Sequence, residues 1–281
     1  MQNEIIAAVI TYYPMSNVLE NIKSYYSYFN KIIIVDNSDS PQTEFYNSLE
    51  NFKKIILIKN GENLGIGAAL NTACKMAEEL DYKWVMTMDQ DSFFETNSIE
   101  NYINCLSSIN KSNLGCIGIN YIEKLNSDYC KSEIVHNVIT SGTFVNLSAW
   151  SKIGGFNQNL FIDGVDDEFC FNLILGKFQV LLLPNIYLSH NLGENKKVKQ
   201  LKFGKLTTRN LHSPTRIYYM TRNYLFLSHK YKLYFPEKRK EYRKALFNKF
   251  KNSFLYNSPI QTMRLFIKGY YHFKVKKFGK L

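Results

Sequence analysis

An α/β fold with a mostly parallel central sheet, followed by a basic helical region, is what this 281-residue sequence predicts. Three observations carry that expectation. The apolar runs near the N-terminus are short, β-branched and continuous rather than alternating, as strands covered on both faces must be. Stretches with helical spacing separate them, the alternation of a parallel sheet with crossover helices. Charge also divides along the chain. Residues 1–190 hold 21 acidic residues, 12 lysines and no arginine, a net of −9, whereas residues 191–281 hold 23 Lys+Arg and 3 acidic residues, a net of +20.

The first strand is read at Ile5–Ile10, ahead of Pro14 and a helical pattern through Val18, Leu19, Ile22 and Tyr25. Lys31–Val35 and Ile55–Ile58 are the next strands, helix signals run from Gly65 to Leu80, and Trp84–Met88 is a fourth strand. Leu114–Ile119 and Val138–Val145 read as mixed strands. An acidic segment then opens a helix through Phe169, Phe171, Leu173 and Ile174, and Phe178–Leu183 is a strand stopped by Pro184. Beyond His190 the alternation ends, and Phe247, Phe250 and Phe254, then Met263, Phe266, Tyr270 and Phe273, recur at helical spacing. The compositional boundary divides the chain into an α/β domain at residues 1–195 and a basic, aromatic-rich helical region at 196–281.

Composition excludes several classes. With 45% hydrophobic and 21% charged residues the chain is neither disordered nor collagenous. Its five cysteines are odd in number and form no CxxC pair, so they are read as buried or free thiols of a reducing compartment. Met1-Gln2-Asn3-Glu4 lacks the basic start of a signal peptide, and no apolar run approaches the roughly 20 residues that span a bilayer. A cytoplasmic protein is expected.

Three constellations carry chemistry. Asp89-Gln90-Asp91 follows a buried strand, and two carboxylates there suit one hard divalent cation, Mg²⁺ or Mn²⁺, shared with substrate phosphates; an acidic loop tip is the alternative. Small residues in Asn63-Leu-Gly65-Ile-Gly67-Ala-Ala69-Leu-Asn71 let backbone approach a ligand or a neighbouring segment, but the spacing fits neither a dinucleotide fingerprint nor a P-loop. Asp163, Asp166, Asp167 and Glu168 exceed what a helix N-terminus asks for, and a positioned carboxylate can act as general base.

In this order, Ile5–Pro14, Val35–Ser38, Asn63–Asn71, Asp89–Asp91, Ser141-Gly142, Gly154-Gly155-Phe156 and Phe161–Cys170 resemble family 2 glycosyltransferases, and most of all the bacterial rhamnosyltransferase-like branch. The resemblance covers about residues 4–225 and implies a GT-A-like fold. It implies that Thr11, Asp36, Asn63, Gly65, Asn71 and Asp89 hold the nucleotide-sugar donor, with Asp36 reading the base. It makes Asp91 the metal ligand and Asp166 the catalytic base, with Asp163, Glu168, Ser141 and Gly142 near acceptor or sugar. Asn172 departs from the pattern, standing where many relatives carry Arg, which puts a local ion pair in doubt. His190 is a candidate to complete the metal or diphosphate site, against the commoner structural histidine. Arg216-Ile-Tyr-Tyr-Met-Thr-Arg222-Asn223 resembles an R-x-Y-Y-x-x-R-N segment of the branch, and both arginines are candidates to close over the donor diphosphate.

The implied activity is inverting, metal-dependent transfer of rhamnose from dTDP-rhamnose to a lipid-linked oligosaccharide in bacterial surface polysaccharide synthesis. A UDP-sugar donor (galactofuranose or glucose) is the alternative within the fold. The basic rear, with Lys238-Arg239-Lys240 and Arg243-Lys244 among Phe and Tyr, suits an anionic membrane surface at the inner face of the cell membrane. A nucleotidyltransferase lacks its Gly-rich basic loop here. A non-catalytic RNA-binding protein would leave the acidic motifs idle, and no nucleic acid is expected as partner.

Overall fold

The structure is a computed structural model that describes residues 2–95, 97–121, 130–190, 195–199 and 206–281; side chains of 2, 190, 195–199 and 206–210 fall outside the description. It divides into two compact units, one of residues 1–158 and 165–190, the other of 159–164 and 191–281.

The first unit begins with β1 (Ile5–Thr11), α1 (Val18–Tyr26), β2 (Ile32–Asp36), α2 (Thr43–Ser48), β3 (Ile55–Lys59), α3 (Ile66–Glu79) and β4 (Trp84–Asp89). The short β5 (Ser92–Phe93), α4 (Ser98–Ser108), β6 (Leu114–Asn120), β7 (Glu133–Ile134), β8 (Thr143–Asn146) and α5 (Leu147–Ile153) follow. It closes with α6 (Val165–Leu175), β9 (Gln179–Tyr187) and β10 (Ser189–His190). Among the described residues eight strands form one sheet in the order β3-β2-β1-β4-β8-β6-β9-β7. The run β3-β2-β1-β4 is parallel, as is β6-β9, while β8 and β7 pair antiparallel with their neighbours. Every residue of β1 and β2 is buried, which is why their sequences show no alternation. Ile5, Val9, Ile22, Tyr25, Ile34, Met86 and Phe144 anchor the core.

Three readings are corrected here. Pro184 does not stop its strand: β9 runs on to Tyr187, and the β6–β9 register shifts between Ile119↔Leu183 and Asn120↔Tyr187. The irregularity absorbs the proline, which lacks a ladder donor. The cysteines are not all thiols. Cys105 of α4 is bonded to Cys130, a pairing set by packing with no spacing motif to announce it, while Cys74, Cys116 and Cys170 are free and buried. Lastly, the region after His190 opens with an antiparallel pair, β11 (Asn195–Lys199) and β12 (Leu206–Asn210), before its helices begin.

Those helices are α7 (Pro214–Lys230), α8 (Pro236–Tyr256) and α9 (Pro259–Lys274), each with Pro in its first turn, where the missing N–H has no helical partner to lose. Among the described residues no helix is long and apolar enough to cross a membrane. The close packing of α7 on α9 depends on Gly269, where a Cβ would sit 2.6 Å from the Tyr218 carbonyl oxygen. Of the aromatic stripes, Phe250 and Phe266 meet at 4.6 Å between ring centroids and pack on Ile217, Met220 and Leu246. Phe247, Met263 and Tyr270 face solvent.

Arg222 is the organising side chain of this unit. It is fully buried, and each of its donor groups is used. Nε donates to Asn223 Oδ1 (2.9 Å), Nη1 to Tyr218 Oη (3.3 Å) and the Gly279 carbonyl (2.8 Å), and Nη2 to the carbonyls of Leu160 (2.9 Å) and Asn159 (3.4 Å). Beside it, Asn223 Nδ2 lies 2.7–2.9 Å from the carbonyls of Leu160, Ile162 and Asp163. The expectation that Arg222 closes over diphosphate is therefore corrected: no donor is left for a phosphate.

Arg222→Met removes five hydrogen bonds, each worth about 0.5–1.5 kcal/mol net, and takes from the Gly279 carbonyl its guanidinium donor. Denaturant titration should show a loss of several kcal/mol; near-native stability with weakened nucleotide binding would instead restore a ligand role. A second expectation concerns acid. Buried His212 lies 2.6 Å from Lys249 Nζ, and burial, then the Lys249 and Arg216 charges, lower it from 6.5 to about 4. The unfolded chain thus takes up this proton first, so stability is full above pH 6.5 and falls as pH drops towards 4. The slope is at most about 1.4 kcal/mol per pH unit. His212→Gln should flatten that limb in melting curves recorded across the range, and an unchanged limb would remove His212 as its cause.

Candidate functional site

The parallel strands deliver the first polar residues to one edge of the sheet. Register pairs Thr11 with Asp36 and Ile10 with Asp89, so the ends of β2, β1 and β4 present Asp36, Thr11 and Asp89 side by side. Ligands of open α/β sheets bind outside this carboxyl edge. Asp36 is almost fully buried. Its Oδ1 accepts from the Thr11 hydroxyl (3.2 Å), the Ser38 hydroxyl (2.6 Å) and the Ser38 amide (3.1 Å), and its Oδ2 accepts from Tyr46. Burial, followed by the hydrogen bond to Asp36, raises the Tyr46 phenol. Ser38 and Tyr46 also bound a cavity of about 650 Å³ whose lining includes Pro41, Thr43, Asn47, Glu50 and Lys59. Lys59 Nζ stands 4.1 Å from the Tyr46 ring centre.

The Asn63–Asn71 segment is tied to the same edge. Asn63 Oδ1 accepts from Asn37 Nδ2 (3.0 Å) and from the Gly65 amide (2.9 Å). Gly65 has φ +86°, a conformation that costs glycine little, and it turns the chain into α3. Of the two readings for the small residues, Gly67 follows the packing one, since a Cβ there would lie 3.0 Å from the Asn157 carbonyl oxygen. Asn71 is spent on the neighbouring turn: Oδ1 accepts from Trp150 Nε1 (2.9 Å) and the Phe156 amide (2.8 Å), and Nδ2 donates to the Phe156 carbonyl (2.8 Å).

Asp89-Gln90-Asp91 forms the turn between β4 and β5. Ser141 braces it, accepting from the Asp89 amide at 3.1 Å and donating to Ser92 Oγ at 2.8 Å, and the Gly142 amide donates to the Thr87 carbonyl at 2.8 Å. Gln90 ties the turn to the end of β1, accepting from the Tyr12 amide at 2.9 Å. Oδ1 of Asp91 is buried, and two carboxylates in one turn are the oxygen donors a hard cation prefers. Among the described residues no group of three or more His, Cys, Asp and Glu gathers around one point. His190 pairs with Ser92 through the β10–β5 backbone, and its side chain lies outside the description.

The acidic segment is divided. Asp166 and Asp167 open α6, half-buried, and Glu168 is fully buried there. Asn137 Nδ2 donates to Asp167 at 2.8 Å, and Asn172 donates to Glu168 at 2.9 Å, so the departure from Arg keeps a hydrogen bond in place of an ion pair. The Tyr121 phenol is raised by burial and then by the charges of Asp166 and Asp167.

Asp163 belongs instead to the second unit, in a loop where Phe161 and Asp163 have φ of +67° and +62°. Such strain costs on the order of 1–3 kcal/mol per residue and persists only where surroundings enforce it. Arg222 and Asn223 hold the loop's carbonyls, and Arg216 adds a tie: its Nε lies 3.2 Å from both Asp163 oxygens and its Nη2 3.0 Å from Oδ1. Arg216 remains 45% exposed. His212 and Lys249 stand in the same electrostatic cluster, and burial lowers the Lys249 ammonium before Asp163 raises it. Sequence reading missed both, because a histidine and a lysine 37 residues apart share no pattern.

Known proteins resemble this arrangement. A protein named dTDP-rhamnosyl transferase RfbF, from Shigella flexneri, is 27% identical over 256 residues, covering 82% of this chain and 81% of that one. The structure of S. aureus TarS 1–349 has a TM-score of 0.55 at 13% identity, covering 98% of this chain and 88% of its own. TarS 1–349 in complex with UDP-GlcNAc gives 0.52 at 12%. GalNAc-T7 with UDP, GalNAc and Mn²⁺ gives 0.56 at 10%, and the likeness spans 66% of this chain and 43% of that longer protein. At these identities the structural likenesses show a shared GT-A-like fold. The sequence match to glycosyl transferase family 2 covers residues 9–181, more than half of the protein, and the chain belongs to that family.

Proposed function

We propose that the protein transfers rhamnose from dTDP-rhamnose, with inversion, to a hydroxyl of a lipid-linked oligosaccharide in bacterial surface polysaccharide synthesis. The observation that carries the reading is the row of Asp36, Thr11 and Asp89 at the carboxyl edge of three adjacent strands, with a cavity beside Asp36. The similarity to a protein named dTDP-rhamnosyl transferase favours this donor. A UDP-sugar is the second reading, favoured by the UDP and UDP-GlcNAc complexes of TarS.

In this reading Asp36 meets the base, the Tyr46 or Ser38 hydroxyl yielding its place on the carboxylate, while Asn63 and Gly65 shape the pocket wall. Asn71 acts through the turn it fixes, and Ser141 and Gly142 keep the Asp89–Asp91 turn in position for the sugar. Asp166 accepts the acceptor hydroxyl proton as that oxygen attacks the anomeric carbon from the face opposite the leaving group. The bond from that carbon to the phosphate oxygen breaks, and the nucleoside diphosphate leaves with the electron pair. Asp91, with Asp89, would hold Mg²⁺ or Mn²⁺, which when bound offsets charge on the departing diphosphate. The net charge of +20 in residues 191–281 supports a place for the enzyme at the anionic inner face of the cell membrane.

Asp166→Asn should leave nucleotide binding intact and lower transfer by about 10²–10⁴-fold, the range of a lost general base. Wild-type turnover in that variant removes Asp166 from the role. Chelation with EDTA should abolish transfer and added Mn²⁺ restore it, whereas full activity in EDTA would count against the role given to Asp91. Thermal shift with dTDP-rhamnose and UDP-sugars in Mn²⁺ decides the donor: stronger stabilisation by a UDP-sugar reverses the assignment.

A further inference from the structure

The second unit contains a cavity of about 850 Å³ that sugar transfer leaves unused. The ends of α7 and α9 and the start of α8 enclose it. Phe226, Phe273 and Phe278 supply apolar wall, and among the described residues its lining includes cations but no carboxylate. Lys230 and Lys274 occupy last turns of helices, where the macrodipole favours cations. Helix polarity does not account for Lys232, Arg239, Arg243 and Lys276, which line the same space.

Lys276 is the telling member. After α9 the Lys276 amide donates to the Phe273 carbonyl and the Lys277 amide to the His272 carbonyl, the paired bonds of a Schellman motif. Lys276 thus sits at the left-handed position, φ +55°, where glycine is favoured. A strained backbone here keeps a cation on the cavity wall.

A second observation concerns α9 itself. Its inner face carries Thr262, Gly269 and His272, all buried. On the outer face Ile260 (85% exposed), Ile267 (58%) and Tyr271 (60%) join Met263 and Tyr270 in an apolar strip. These positions fall within an arc of about 100°, the width of an amphipathic helix's apolar stripe. The strip ends at Lys274, whose Nζ lies 5.7 Å from the Tyr270 ring centre and which lines the cavity.

We propose that this cavity seats the phosphate headgroup of an anionic phospholipid while the α9 strip lies in the bilayer interface. An apolar face running into a cationic, aromatic-walled cavity matches the two parts of such a lipid. The inference rests on the membrane placement proposed above and is independent of the donor.

The test is co-flotation of the full chain with vesicles of phosphatidylcholine alone or mixed with phosphatidylglycerol. Wild type should float with the mixed vesicles only. Arg239→Glu with Arg243→Glu should weaken binding at least about tenfold. Lys276→Gly should raise the melting temperature by relieving the left-handed residue, yet weaken binding about fivefold, which separates a ligand role from a fold defect. Ile260→Ser with Ile267→Ser should bind at low salt and detach at high salt. Wild-type flotation of the charge-reversed protein overturns the proposal, as does a wild type that binds inorganic pyrophosphate but no vesicle. Transfer to a soluble acceptor separates the two readings: vesicle binding without transfer sinks the transferase and leaves the cavity standing.

Discussion

The loop of residues 159–164 holds its shape because Arg222 and Asn223 collect its carbonyls. A guanidinium has five donors in a fixed plane, and here all are directed at protein acceptors, two of them carbonyls of this loop. Asn223 adds a side-chain amide facing three carbonyls in the same loop. These contacts hold a backbone with two left-handed non-glycine residues, and the chain leaves that loop directly into α6 and Asp166. The Arg216 fork on Asp163 adds a salt-sensitive tie at the surface. The geometry before the proposed base therefore depends on a neutral-acceptor network more than on ion pairing.

The sheet side of the site follows a different logic. Its polar groups are arranged by backbone register, and the side chains then satisfy one another, Thr11 with Asp36, Ser38 with Asp36 and Ser141 with Ser92, while Ser141 also accepts from the Asp89 amide. Such pre-paired hydroxyls satisfy the oxygens of a buried carboxylate without a ligand. They also allow exchange, because a hydroxyl rotates at little cost while a strand does not.

Much of this was legible in the residues. Unbroken burial of Ile5–Thr11 and Ile32–Asp36 shows directly as continuous β-branched runs, and acidic residues after strands mark the carboxyl edge. Other features were not. Arg222 read as a phosphate ligand because sequence shows a residue's chemistry but not its burial, and an arginine satisfied by carbonyls looks the same as one awaiting an anion. Pro184 read as a terminator because the register shift that accommodates it, residues 184–186 bulging from β9 against adjacent residues of β6, shows only once the strands are paired. Cys105 and Cys130 read as thiols because only the packing around α4 brings them together.

The acidic segment's division between the two units has a consequence for how this protein could be dissected or diversify. A cut after His190 would look like a natural way to free a nucleotide-binding module. It would also remove α7, and with it the donors that hold Leu160, Ile162 and Asp163. Six residues of the N-terminal half are structurally part of the C-terminal one, so the two halves are not interchangeable cassettes. Any recombination that swaps the basic end must bring a matching Asn159–Gly164 loop with it, and the two segments are expected to change together.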